Sequence, residues 1–198
     1  MNHLSADKLL FASHNPAKVS ELSRLVSPSK KIVSLADLNY KDEIPETGET
    51  LEENALQKAQ TIFKRFKIPC FSDDSGLFVE ALNGEPGVHS AHYSGTRDYH
   101  VNNQLVLEKL AGITNRKAYF KTIFCLIEAD EKTTYFEGIV NGSIAEESTG
   151  ENGFGYDPIF IPEGHTKTFG ELSASVKKAL SHRARATEKL IQYLGAKE

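Results

Sequence analysis

The sequence predicts an α/β protein on a mixed sheet, and three observations predict it. Short apolar runs alternate with helix-period patterns over the first half of the chain, and two long alternating segments follow one another in the second half. No apolar run approaches the roughly 20 residues of a membrane span. A chain of 198 residues suits one large domain or two small lobes, so a single bilobed domain over 1–198 is expected. The 23 Lys+Arg against 27 Asp+Glu give a net charge of −4. No global basic field is available to hold duplex nucleic acid, although a local basic pocket remains open. Cys70 and Cys125 make no disulfide framework and read as buried thiols of a reducing compartment. A cytoplasmic protein with no membrane partner and no stable nucleic-acid complex is the expectation.

The elements follow in order. Leu9-Leu10-Phe11-Ala12 reads as a buried strand running into Ser13-His14-Asn15-Pro16-Ala17-Lys18. A helix then carries Val19, Leu22, Leu25 and Val26 on one face, with Pro16 at its first position, where a missing N–H costs nothing. Lys31–Leu35 is a second strand. After an acidic loop, Thr50 and Glu53 form a capping-box signature for a helix over about 50–67, which Pro69 stops. Cys70-Phe71-Ser72 is a strand expected to end at Asp73-Asp74-Ser75-Gly76, with Leu77-Phe78-Val79 apolar again. Residues 83–97 read as loop. Asp98 caps a helix whose expected inward stripe is Val101, Leu105, Leu107 and Leu110, closed by Gly112. Ala118–Ala129 and Thr133–Ala145 form a long antiparallel hairpin across Asp130-Glu131-Lys132. A Gly-rich loop leads to a short strand, Ile159-Phe160-Ile161, and the C-terminal segment is helical with Leu190, Ile191 and Leu194 inward.

Four places carry chemistry. The turn Ser13 to Lys18 puts unpaired N–H groups of a helix start beside a lysine, which suits an anion without a Walker pattern. It reads equally as an ordinary Asn cap with a solvated lysine. Glu46, Glu49, Glu53, Asp73 and Asp74 are hard oxygen donors of the kind Mg²⁺ takes one or two of. Asp73 and Asp74 point to opposite faces of a strand, so one of them would reach a given metal, with Glu46 as the other ligand. The other reading is a solvated acidic surface with good turn chemistry. Gly153-Phe154-Gly155-Tyr156-Asp157-Pro158 would let backbone approach a planar ligand, with Phe154 to stack and Asp157 to accept base N–H groups; a tight turn with a core aromatic explains it as well. Lys177, His182 and Arg183 offer donors for the O6 and N7 of a 6-oxopurine, or form a basic helix paired with nearby acids. Such donors disfavour adenine, whereas guanine also carries O6. His89 and His92 are three apart and lack a second ligand pair for zinc.

Together these segments resemble the inosine/xanthosine triphosphate pyrophosphatase family, the house-cleaning nucleoside triphosphate pyrophosphatases. The matching motifs, in order, are Ser13 to Lys18, then Glu46-Thr47-Gly48 with Glu53-Asn54-Ala55 and Lys58-Ala59, and Asp73-Asp74-Ser75-Gly76-Leu77. They continue through Pro86-Gly87-Val88, Tyr93-Ser94-Gly95, Gly153 to Phe160, and Lys177 with Ser181-His182-Arg183. The resemblance implies a long mixed central sheet with helices forming two lobes around an active-site cleft, in a homodimer. It implies Mg²⁺-dependent hydrolysis of ITP, dITP and XTP to the monophosphate and pyrophosphate. On that resemblance Ser13, His14, Asn15, Pro16, Ala17 and Lys18 bind the triphosphate, assisted by Lys58. Asp74 is the general base and lies near the metal, with Glu46 a metal ligand. Ser75, Phe154, Gly155, Tyr156, Asp157, Lys177, His182 and Arg183 bind the substrate, mostly at its base end. The chain departs from the family pattern at His92, where Arg is usual, and at Leu51, where Phe is common. An RNA-binding module would need a basic aromatic surface, and a non-hydrolysing nucleotide sensor would not need both Glu46 and Asp74.

Overall fold

The computed structural model describes residues 7–196 except Ser27 and Ser29. Its elements are β1 (Lys8–Phe11), α1 (Pro16–Val26), β2 (Lys31–Val33), α2 (Leu51–Phe66), β3 (Cys70–Val79), α3 (Tyr99–Lys109), β4 (Lys117–Ile127), β5 (Thr133–Ile144), β6 (Phe160–Pro162), α4 (Ala174–Leu180) and α5 (His182–Gly195). The strands form one sheet in the order β2-β1-β3-β4-β5-β6. β1 pairs parallel with both β2 and β3, while β6 pairs antiparallel with β5. A mixed sheet with helices is therefore what the chain builds. No helix of the described residues is long and apolar enough to cross a membrane.

The fold divides into two compact units. Unit 1 holds the described residues up to Asp74, Thr122–Glu137, and those from Arg183 onward; unit 2 holds Ser75–Lys121 and Gly138–His182. Unit 1 has a core of Phe11, Leu22, Ile32, Phe71, Phe124, Leu126, Phe136 and Leu190. Unit 2 has its own, around Leu77, Val106, Leu110, Phe120, Val140, Phe160 and Phe169. Each fully buried Leu, Ile or Phe stabilises its unit by about 1.5–3 kcal/mol relative to exposure.

Local chemistry explains the elements that place the site. In α1, Asn15 Oδ1 accepts the N–H groups of Ala17 at 3.0 Å and Lys18 at 3.2 Å, so the Asn cap is real and Lys18 sits in the first turn. α2 starts with a full capping box between Thr50 and Glu53 and ends on Lys67 in the left-handed region at φ 55°, two residues before Pro69. Its buried face carries Leu51, Ala55, Ala59 and Ile62 at helical spacing, and Asn54 and Lys58 lie on that same face.

Four expectations need correction. β3 runs unbroken from Cys70 to Val79, so Asp73 and Asp74 lie inside a strand and not in a turn after it. Their buried carboxylates have partners on neighbouring elements, and that removes the usual objection to acids in a central strand. In α3 Val101 is exposed and Asn102, Asn103 and Val106 are buried, while Leu107 and Leu110 of the expected stripe do pack on the unit 2 core. Residues 87–92, read as loop, form a short 3₁₀ segment, and Asp157–Ile159 does the same before β6. α4 is seven residues long and starts at Ser173, whose Oγ accepts the Val176 N–H at 3.4 Å.

Cys70 and Cys125 are free and buried in unit 1. Burial pushes each thiol up to about 12. The folded protein is expected to show no reaction with a thiol-specific reagent at pH 8, and two thiols after denaturation. Stoichiometric labelling of the native protein would contradict this placement.

Candidate functional site

Of the acids singled out in the sequence, unit 1 gathers Glu46, Asp73 and Asp74 onto two lysines. Glu53 is spent on the α2 capping box, where it accepts the Glu49 and Thr50 N–H groups. Lys58, on the buried face of α2, contacts Glu46 Oε1 through its ammonium and reaches Asp74 Oδ1 at 3.2 Å. Asp74 Oδ2 accepts the amide of Asn54, one turn earlier in α2, at 3.2 Å. Asn54 also accepts the N–H of Gly48 at 2.8 Å, which ties the Glu46 loop to the same helix. Adjacent Asp73 faces a different set: Lys18 Nζ lies 3.0 Å from its Oδ1 and Arg183 Nε 3.4 Å from its Oδ2. Arg183 Nη1 in turn holds Glu21 at 2.7 Å. The alternation of β3 thus gives the two consecutive acids separate partners.

Burial and charge compete at each of these groups. Burial would raise the Asp73 carboxyl, but Lys18, Arg183 and Lys58 outweigh it and hold it well below the usual carboxylate range. For Asp74 burial wins: with Glu46 and Asp73 adding repulsion against Lys58 and Lys18, its carboxyl rises above its ordinary value. Burial alone would lower both lysines. Asp74 and Glu46 lift Lys58 above its ordinary value, whereas Lys18 ends below it despite Asp73, with Lys58 and Arg183 repelling it.

The donor set suits a hard divalent cation. Glu46 and Asp74 are carboxylate oxygen donors converging on one ammonium, and Mg²⁺ ordinarily takes one or two carboxylates from protein when phosphates and waters complete its shell. Among the described residues no group of three or more His, Cys, Asp or Glu side chains converges as a closed site. His89 and His92 have their ring centroids 5.7 Å apart, edge to face, with no such third group.

Unit 2 assembles the aromatic loop. Asp157, 3% exposed, accepts the Phe154 N–H at 2.7 Å and pairs with Lys177 of α4 at 2.5 Å. The same Lys177 ammonium stands 4.8 Å from the Phe154 ring centroid. Gly153 has φ 80°, and a Cβ there would lie 2.0 Å from Asp157 Oδ2, so only glycine permits this turn. Tyr156 is buried and donates to the Ser90 carbonyl at 2.8 Å. His182, 4% exposed, stacks on Phe120 with centroids 4.9 Å apart.

The candidate residues are thus distributed as follows. In unit 1, Lys18 and Arg183 sit on Asp73, and Glu46 and Asp74 sit on Lys58, the two sets coupled electrostatically. Ser13 and Asn15 stand beside them in the α1 turn, where Ser13 Oγ accepts the Asn15 N–H at 3.2 Å. His14 and Pro16 of that turn are exposed and Ala17 is half-buried. His14 Nε2 is 2.9 Å from the Asp42 carbonyl, and its ring stacks near Tyr40. Phe154, Gly155, Tyr156, Asp157, Lys177 and His182 belong to unit 2, as does half-buried Ser75, which follows Asp74 in β3. Sequence reasoning gave no role to Asn54 or Glu21. Asn54 had a signal: an amide at a core position of an apolar stripe is expensive unless it is bonded. Glu21 had none, because its partner lies 162 residues away.

A family model described as the Ham1 family matches residues 9–193. A dITP/XTP pyrophosphatase of Porphyromonas gingivalis is 45% identical over 190 residues, covering 95% of this chain and 97% of that protein. The dITP/XTP pyrophosphatase of Bacillus subtilis is 44% identical over 191 residues, covering 94% and 96%. Among solved structures, the Ham1 protein of Staphylococcus aureus superposes with a TM-score of 0.87 at 37% identity, covering 96% of this chain and 100% of that one.

Proposed function

The chain belongs to the Ham1 family, and from that premise we propose that it removes deaminated purine nucleotides before they enter DNA and RNA. It hydrolyses ITP, dITP and XTP to the nucleoside monophosphate and pyrophosphate. The observation that carries this reading is the convergence of Glu46 and Asp74 on Lys58, with Lys18 on Asp73 of the same strand. Two carboxylates suited to a divalent cation and two ammonium groups beside them support charge stabilisation of a phosphoryl-transfer step.

In the mechanism, Glu46 and Asp74 would hold Mg²⁺, which supplies positive charge against the phosphate oxygens. Lys18, Lys58 and the α1 turn from Ser13 through His14, Asn15, Pro16 and Ala17 bind and neutralise the triphosphate. Asp74 orients the attacking water and takes its proton, and the bond between the α and β phosphates breaks. The base end falls to Ser75, Phe154, Gly155, Tyr156, Asp157, Lys177, His182 and Arg183, with Phe154 as the stacking face. The proposal includes a homodimer acting in the cytoplasm; two unpaired buried thiols are in keeping with a reducing compartment.

The test is pyrophosphate release from ITP, XTP, GTP, ATP and dTTP, with Mg²⁺ and with a chelator. Release from ITP and XTP alone, abolished by the chelator, supports the reading. Release mainly from another nucleotide overturns the base assignment, and release with no metal requirement overturns the role of Glu46.

A further inference from the structure

α3 buries two consecutive asparagines, Asn102 at 1% and Asn103 at 3% exposure, at positions where an amphipathic helix ordinarily places apolar residues. A buried amide costs stability unless its bonds are made, so their partners show what they hold. Asn102 accepts the Ser94 N–H at 2.8 Å and donates to the Thr96 carbonyl at 3.3 Å, gripping the Tyr93-Ser94-Gly95 loop. Asn103 reaches the other loop of unit 2: its Nδ2 donates to the Gly155 carbonyl at 3.1 Å. Its Oδ1 is buried and meets no donor among the described residues. An apolar side chain would avoid that unsatisfied acceptor, so the amide's contribution lies in its donor.

The residue it holds is conformationally special. Gly155 has φ 64°, with open space where a Cβ would project, and it separates Phe154 from buried Tyr156. α3 also meets the loop through Tyr99, whose ring centroid is 6.4 Å from that of Phe154. Tyr156 ties the loop to Ser90, beside the segment that Asn102 grips. One helix therefore fixes both loops through adjacent side chains.

We propose that Asn103 is a positioning residue for base recognition: by holding the Gly155 carbonyl it sets the Phe154–Asp157 loop in its base-binding form, touching neither substrate nor metal itself. This rests on the reading that the loop receives the purine. The test uses Asn103→Ala, with Asn103→Ser, which keeps a shorter donor, as the second variant. Hydrogen exchange of residues 153–157 is expected to quicken about tenfold in Asn103→Ala while β4 exchanges as in the wild type. KM for ITP is expected to rise about tenfold, with kcat within about twofold and inhibition by inorganic tripolyphosphate unchanged; Asn103→Ser should recover part of both effects. Unchanged loop exchange, or loss of tripolyphosphate inhibition together with the KM change, overturns the proposal. A wild-type protein inactive on ITP would overturn the base reading instead, and the exchange comparison, which needs no substrate, would then decide whether Asn103 holds the loop.

Discussion

Asp74→Asn is expected to lower turnover of ITP by about 10²–10⁴-fold, the usual worth of a positioned general base, while ITP affinity stays within a fewfold of the wild type. The side chain is 12% exposed and held at both oxygens, by Lys58 and by Asn54, so its orientation is fixed before substrate arrives. Asparagine keeps the volume and loses the proton-accepting oxygen. Its NH₂ would also meet the Asn54 amide, whose own oxygen is committed to Gly48, at a cost of about 1 kcal/mol in stability. Lys58 keeps Glu46 as partner, so the cations proposed to bind the triphosphate remain in place. Stopped-time pyrophosphate assays and calorimetric ITP titration check the two halves. Turnover within tenfold of the wild type would remove Asp74 from the base role.

Arg183→Ala is expected to destabilise the fold as well as weaken ITP binding. The Arg183 side chain is 4% exposed, and its guanidinium bridges Glu21 to Asp73, whose side chain is fully buried. Removing one partner of a buried ion network costs about 3–5 kcal/mol, because the charge left behind has lost its water and its partner. Lys18 stays on Asp73 Oδ1, which places the loss near the lower bound, about 3 kcal/mol, or a fall of about 6–12 °C in melting temperature. Arg183→Lys retains the charge without the fork and should recover part of it. Kinetics taken below the melting transition should show KM for ITP raised about tenfold, the worth of one lost base contact. An unchanged melting temperature would contradict the buried network, and an unchanged KM would leave Arg183 a purely structural role.

Much of the molecule was legible because its signals are local. Asn15 and Pro16 announce a helix start whatever surrounds them, as do Thr50 and Glu53, and the alternation of residues 118–145 fixes a hairpin. What failed were places where a polar residue takes a buried position. Asn102 and Asn103 are buried where Val101 is exposed, because loop backbone supplies their partners, while Leu107 and Leu110 of the expected stripe do pack on the unit 2 core. Asp73 and Asp74 read as a strand end for the same reason, their compensating lysines and arginine lying 16 to 110 residues away. In the site, the residue types were readable and the pairings were not. Nothing near Arg183 in sequence says that Glu21 and Asp73 claim its guanidinium.

In the proposed reaction one chemical step separates the α and β phosphates of a deaminated purine triphosphate. Following ITP with excess Mg²⁺ by phosphorus NMR reads that step directly. Equimolar IMP and pyrophosphate from the first turnovers, with no IDP and no orthophosphate, is the expected result. IDP with orthophosphate would mean attack at the γ phosphate and would rule out cleavage between the α and β phosphates.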